Sequence, residues 1–386
     1  MISKRVTCSI PSLIFAVLFS LVIVNRTAST TSAAEWPTFD EALLQDQGDK
    51  PVEQTRKNIQ VLKGLPDSQL FILMNFMATS IGVKCDYCHV RKGEKYYGGN
   101  WVWESDEKEK KLIGRQMIKM VLDLNRSNFS SETRVTCYTC HRGSTTIANL
   151  PPLPPHDPVP NNTVLPTVDQ ILANYVAAVG GKDAVAKFKT TVMKGTIERS
   201  EGRTAQLEVT LKDSDKYLTQ QTSAQGVSTL SIKGTDDAWA KSSNGSRKLS
   251  GPEVEATRRV VIKYYNPFKI IEPTAQMKVT GTEKVGDRDA YVVTLVVDPD
   301  TTRRFFFDTQ TGLLVREITT KRTMLAPLPD QIDYEDYRDV DGIKLPFLIR
   351  TSNTSTYDTA TRRFTEIKHN VAVNDDVFNL PATPRN

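Results

Sequence analysis

The sequence is poor in histidine and cysteine, with four and five among 386 residues. It has no dense basic run: 50 Lys and Arg face 45 Asp and Glu, a formal charge of +5. That balance gives no sign of a nucleic-acid surface. A single long apolar run exists, Leu13 to Val24, broken only by Ser20, and it is short for a membrane-spanning helix. With so few histidines there is also no persuasive constellation of base and nucleophile. What is present is a globular composition, 39% hydrophobic with both charge signs interspersed, over a length that suggests two domains.

The N-terminus reads as an export signal. Lys4 and Arg5 precede the apolar run, and Ser32-Ala33-Ala34 offers small residues for cleavage before Glu35. Residues 1–34 are therefore assigned to a signal peptide and the mature chain to the periplasm, with an uncleaved membrane anchor left open. Cys8 lies ahead of the apolar run and leaves with the signal.

The remaining cysteines fall into two motifs, Cys85-Asp86-Tyr87-Cys88-His89 and Cys137-Tyr138-Thr139-Cys140-His141. In an exported chain the plain expectation for four cysteines is disulfides, but that leaves the repeated histidine unexplained. A redox dithiol needs one Cys-x-x-Cys, not two each ending in His. A zinc site prefers its pairs roughly 15–20 residues apart; here 48 residues intervene. Haem attachment accounts for every position. The two thiols bond covalently to the porphyrin, and the adjacent imidazole binds iron from beneath. The chain is thus expected to carry two covalent haem c groups, held by Cys85, Cys88, Cys137 and Cys140 and ligated by His89 and His141. The four propionates of two haems would roughly cancel the excess positive charge.

Only His156 and His369 lie outside the motifs, one in a proline-rich stretch and one far along the chain. Methionine is the better source of the second axial ligand. A Met-x-x-Met pair precedes each motif, Met74 and Met77, then Met117 and Met120. Asp67 is read as the cap of a helix with Leu70, Leu73, Met74, Met77 and Ile81 on its apolar face. Ser105 is read as the cap of a second, with Leu112, Ile113, Met117, Met120, Val121 and Leu124 on one face. A methionine on such a face is ordinarily core filler; the haem motifs change that expectation to one ligand per pair. His/Met ligation favours reduced iron and raises the potential.

Around these residues the chain resembles the photosynthetic reaction-centre cytochrome c subunit family, over roughly Pro51 to Leu150. Leu73-Met74 followed by Ile81-Gly82-Val83 and the first motif looks like a haem segment of that family. So does Met120-Val121-Leu122-Asp123-Leu124-Asn125 followed by the second motif and Arg142-Gly143. The resemblance implies Met74 and Met120 as distal ligands, Met120 being favoured over Met117. Family members usually carry four haems and this chain has two. A shortened respiratory or general periplasmic relative is therefore expected, rather than a donor to photo-oxidised chlorophyll.

Pro151-Pro152-Leu153-Pro154-Pro155, with Pro158, Pro160 and Pro166, forms a stiff extended linker. It divides a helical region, 35–150, from a β-rich one, 165–386, with the linker at 151–164. Beyond it Val168 to Lys187 reads as a helix interrupted by Gly180-Gly181. Strands are expected at Val192–Glu198, Ala205–Lys212, Lys216–Thr222 and Tyr291–Val297, with turns at Asp308–Gly312 and Asp341-Gly342. Phe305-Phe306-Phe307-Asp308, Thr311 to Arg316 and Asp333 to Pro346 resemble the lipoprotein-carrier-like β half-barrels, which implies a concave sheet for a lipid chain or partner peptide. In plainer terms these are hairpins.

The expected fold class is a small α-helical dihaem cytochrome c domain followed by an α+β antiparallel half-barrel domain. The expected function is electron transfer between redox partner proteins, with no nucleic acid and no enzymatic step. Membrane association or lipid contact through the C-terminal domain is allowed for. Two other readings stay open. One is an apolar-ligand or lipoprotein-binding module whose haems sense redox state or serve structure. The other is a haem enzyme with one open iron.

Overall fold

The computed structural model describes residues 49–93, 100–147, 164–181, 183–184, 187–213, 215–235, 237–243, 245–249, 251, 253–254, 257–258, 261, 276–355 and 359–380. The signal segment, most of the proline-rich linker and His156 lie outside the described residues. Among the described residues no helix is long and apolar enough to cross a membrane.

The first region is helical. A short helix α1, Val52–Thr55, precedes α2, Asp67–Ile81. Helix α2 starts after Pro66, whose missing N–H costs nothing at a helix start. It stops at Gly82, which takes the left-handed conformation that glycine adopts without strain. Asp67 is not the cap. Its carboxylate is held by Arg56 at 2.7 Å and by the Thr55 hydroxyl at 2.6 Å. After the first motif a two-stranded ribbon, β1 (Val90–Lys92) and β2 (Asn100–Val102), interrupts the expected run of helix. Helix α3 covers Glu109–Asn128. It begins after Lys108, so Ser105 lies just outside it and accepts from the Glu107 N–H instead. Helix α4, Cys137–His141, is the second motif itself. Helix α5, Val168–Ala178, is capped by Thr167 and Gln170 reciprocally and ends before Gly180, so the expected helix stops at its glycine pair.

The second region is an antiparallel sheet. Its strands are β3 (Thr190–Arg199), β4 (Thr204–Lys212), β5 (Lys216–Ser223), β6 (Gly226–Lys233), β7 (Asp237–Ser242) and β8 (Gly245–Lys248). After 276 come β9 (Met277–Val285), β10 (Arg288–Asp298), β11 (Thr301–Asp308), β12 (Leu314–Arg322), β13 (Pro327–Val340), β14 (Ile343–Asn353) and β15 (Ala360–His369). Their order is 8-7-6-5-4-3-15-14-13-12-11-10-9. Strands consecutive in the chain are neighbours in the sheet except β8 and β9, which form its two edges, and β15 pairs with β3 to join the two runs. Laid flat, thirteen strands at ~4.8 Å spacing would be roughly 58 Å wide. Yet Ala238 of β7, Val209 of β4, Phe305 and Phe307 of β11 and Met277 of β9 share one continuous core with Ile171, Leu172 and Tyr175 of α5. The sheet therefore curls around its helix. The expected class, a helical segment followed by an α+β antiparallel domain, is what the structure has.

The two regions touch through a core that draws on both. Val52, Leu62, Leu65, Leu73, Phe76, Ile118 and Val121 of the helical region pack with Leu325, Ala326 and Leu328 of the β12–β13 hairpin. Leu325 and Ala326 are completely buried. Two hydrogen bonds fasten the contact: Thr133 Oγ1 donates to the Thr323 carbonyl at 3.0 Å, and Thr79 Oγ1 to the Thr354 carbonyl at 2.6 Å.

Candidate haem-attachment sites

The first motif is a single tight turn. Residues Cys85–Tyr87 form a 3-10 helix, and the His89 N–H returns to the Cys85 carbonyl at 2.9 Å. Both thiols and the imidazole are thereby gathered within one turn of backbone. The β1–β2 ribbon then brings Trp103 back over the histidine. Nδ1 of His89 lies 3.3 Å from the Trp103 carbonyl, and the two rings meet edge-on at 5.0 Å. Trp103 stacks in turn on Trp101 at 4.6 Å. Occupying Nδ1 with a backbone acceptor fixes the tautomer and leaves Nε2 as the metal-binding nitrogen.

Cations crowd this side. Lys111 Nζ donates to the carbonyls of Trp103 and Ser105, each at 2.8 Å, and pairs with Asp106 at 3.1 Å. Arg115 pairs with Asp106 at 2.9 Å, and Asn58 Nδ2 donates to the same carboxylate at 2.9 Å. These donors hold the Asp106 carboxyl well below the usual range. Burial, with Lys111 and Lys108, pushes His89 down to about 4. The imidazole is thus neutral at physiological pH, as a metal ligand must be.

The second motif is a turn of helix, α4. Thr136 and Thr139 close its N-terminus reciprocally. Nδ1 of His141 lies 2.9 Å from the Ser144 carbonyl, so this histidine too has its outer nitrogen held by backbone. The approach to the motif is tied down by Asn125, buried on α3. Its Nδ2 donates to the Val135 carbonyl at 2.7 Å, and its Oδ1 accepts from the N–H groups of Arg134 and Val135.

The two motifs meet at a pair of glycines. Gly143, just after the second, donates its N–H to the Ser80 carbonyl at 2.8 Å. A Cβ on Gly82, just before the first, would overlap the Gly143 carbonyl. Each glycine has a positive φ, +70° and +84°. Gly82 needs both the conformation and the missing side chain, Gly143 the conformation alone.

The four thiols are free of disulfides. Burial pushes the Cys88 and Cys137 thiols up. Among the described residues no group of three or more His, Cys, Asp or Glu is placed to hold a metal ion, so the cysteine pairs do not converge on one centre.

The methionines lie on two matching stripes. On α2, Leu70, Met74, Met77 and Ile81 are half-buried beside the inward Leu73, Phe76 and Ser80. On α3, Ile113, Met117, Met120 and Leu124 recur at the same spacing, 43 residues on. All four are 38–49% exposed, while Ile118, Val121 and Asn125 face inward. Sequence periodicity had placed Val121 on the methionine face; the structure sets it about a quarter-turn away. An uncovered apolar stripe three turns long fits a flat apolar macrocycle. The donor set fits haem c: two thiols and one neutral imidazole per motif, with thioethers on the adjoining helices. His369 is elsewhere, on β15, with Nδ1 3.0 Å from Thr191 Oγ1 and its ring stacked on Phe188.

Sequence reasoning had not found Trp101, Trp103, Lys111, Asp106, Arg115, Asn125 or the Leu325 hairpin. Only Asn125 carried a hint, as a polar residue at helical spacing from Ile118 and Val121.

Residues 20–179 match the family model described as photosynthetic reaction centre cytochrome C subunit. The chain is 38% identical over 92 residues to the photosynthetic reaction center cytochrome c subunit of Thermochromatium tepidum, covering 23% of this chain and 20% of that protein. It is 30% identical over 127 residues to the corresponding subunit of Roseobacter denitrificans, covering 30% and 33%. It is 30% identical over 94 residues to cytochrome c-554 of Chloroflexus aurantiacus, covering 22% and 20%. The chain thus spans a fifth to a third of the length of these relatives. Among solved structures it is similar to a LolA superfamily protein from Nitrosomonas europaea, with a TM-score of 0.38 and 12% identity, covering 56% of this chain and 99% of that one. At its helical end, over residues 20–179, the chain is thus similar to the photosynthetic reaction centre cytochrome c subunit family.

Proposed function

We propose that this chain is an exported dihaem c-type cytochrome that passes electrons between protein partners in the periplasm. The observation that carries the reading is the doubled turn. In each motif two thiols outside any disulfide and an imidazole lie within one turn, and the imidazole is held at Nδ1 by a backbone carbonyl. Bound haem would supply a one-electron ferric/ferrous couple. The chain's own residues do the rest. Cys85, Cys88, Cys137 and Cys140 anchor the cofactors, and His89 and His141 present Nε2. The apolar stripes would exclude water, and a methionine thioether would be the second protein ligand to each iron.

For the first iron we propose Met74. For the second iron we propose Met120, with Met117 one turn away as the control. Because both irons are closed by methionine, electron transfer rather than substrate turnover is the proposed role.

Ligand substitution tests this. Met74→Ala and Met120→Ala should each remove about half of the weak red absorption of thioether-ligated ferric haem and let one reduced iron bind carbon monoxide. Met77→Ala and Met117→Ala should leave both properties intact. A wild-type protein that already binds carbon monoxide would overturn electron transfer in favour of an enzyme with an open iron. Ligand loss in Met117→Ala but not Met120→Ala would move the assignment to Met117.

A further inference from the structure

The two histidines are held alike but are not surrounded alike. The carbonyl that takes His89 Nδ1, that of Trp103, also accepts a hydrogen bond from the Lys111 ammonium at 2.8 Å. Lys111 is only 12% exposed and stays in place through Ser105 and Asp106. Arg115, equally buried, braces Asp106 from the other side and donates to the Asn58 carbonyl. At the second motif the Ser144 carbonyl faces His141 Nδ1 at 2.9 Å, and among the described residues no cation shares it.

Two physical effects follow from Lys111, and they have the same sign. A fixed positive charge near an iron disfavours the ferric state, which carries one more positive charge than the ferrous. Its hydrogen bond also draws on the oxygen that polarises the imidazole N–H. The imidazole is left less anionic and donates less charge to the metal. Asp106 partly offsets the first effect and fixes the geometry of the second.

We propose that Lys111 is a positioning residue that raises the midpoint potential of the first haem and so sets it apart electrically from the second. Lys111 does this through the Trp103 carbonyl and through its charge, without touching the iron. The inference rests on reading the two motifs as haem sites. The redox event is a single-electron reduction of ferric to ferrous iron, with the electron supplied in the measurement by a soluble reductant.

The test is a mediated redox titration of the full-length holoprotein, with haem content read separately by the pyridine haemochromogen spectrum. Lys111→Gln keeps a hydrogen-bond donor and removes the charge; Lys111→Leu removes both. Each should lower one midpoint and leave the other in place, with the larger shift for Leu. For Leu the partition of an electron between the haems should change about tenfold, which is 59 mV for a one-electron couple. Lys111→Arg should retain the wild-type value more nearly than either. Asp106→Asn, at a half-exposed carboxylate, should raise the same midpoint and supplies the test if the buried variants lose haem. Unmoved midpoints, or equal shifts of both, with two haems still bound would overturn the role of Lys111 alone. Absence of covalent haem in the wild-type protein would instead overturn the haem reading beneath it.

Discussion

The helical region and the sheet solve the problem of burial in opposite ways. The sheet closes a core from its own strands and α5, in which Phe305, Phe307, Tyr334 and Ile332 are almost wholly buried. The helical region buries little of itself. It leaves Ile113, Met117, Met120 and Leu124 in the open and borrows Leu325, Ala326 and Leu328 from the sheet to complete its core. One region is finished by its amino-acid sequence. The other keeps an exposed apolar stripe on one side and leans on its neighbour on the other.

The strongest way to break this comparison is to cut the chain. A chain starting near Leu165 should fold alone as a β-rich protein and melt cooperatively, since its main core needs nothing from the helices. The helical segment ending at Leu150 should be protease-sensitive and lose its haem-bearing form on purification. Circular dichroism melts and limited proteolysis of the two fragments would show it. Equal stability of both would mean that the hairpin contact is incidental.

A finer version acts on the contact alone. Leu325→Ala in the full chain should cost ~2–5 kcal/mol, the range for truncating a buried leucine. The loss should appear in the melting of the haem bands, not only in the sheet signal. If haem absorbance melts as in the wild type while the sheet is weakened, the shared core carries no stability for the helical side.

The smallest expected effect lies inside the sheet. The Tyr175 hydroxyl is buried against Phe307 with no hydrogen-bond partner among the described residues, and burial pushes its pKa far up. Tyr175→Phe removes an unsatisfied group and keeps the ring. It should be neutral or stabilising by up to ~1 kcal/mol in denaturant unfolding. A clear destabilisation would show that the hydroxyl has a partner and that the sheet's core is less self-contained than it looks.

What was legible in the sequence is what is local. The Cys-x-x-Cys-His pattern, the glycine pair that stops α5 and the strands from Thr190 to Ser223 are all short-range features, and each lies where its pattern implied. The caps were less legible. Asp67 has a competing partner in Arg56, and Ser105 sits three residues early because Lys108 begins the helix. The ribbon that returns Trp103 to His89 was hidden, because strands of three residues leave too brief an alternation to read. The Leu325 hairpin was hidden for a different reason. Its partners are some 190–270 residues away in sequence, and no periodicity reports contacts at that range. Helical spacing puts Met117 and Met120 together on the exposed stripe of α3, so it does not choose between them.

The central claim is covalent haem at both motifs, and the intact mass of the denatured holoprotein tests it most directly. The account predicts the mass of the polypeptide plus two haems, falling by one haem in Cys85→Ala/Cys88→Ala and by one in Cys137→Ala/Cys140→Ala. A wild-type mass equal to the bare polypeptide, or lower by the hydrogens lost to disulfides, would contradict it.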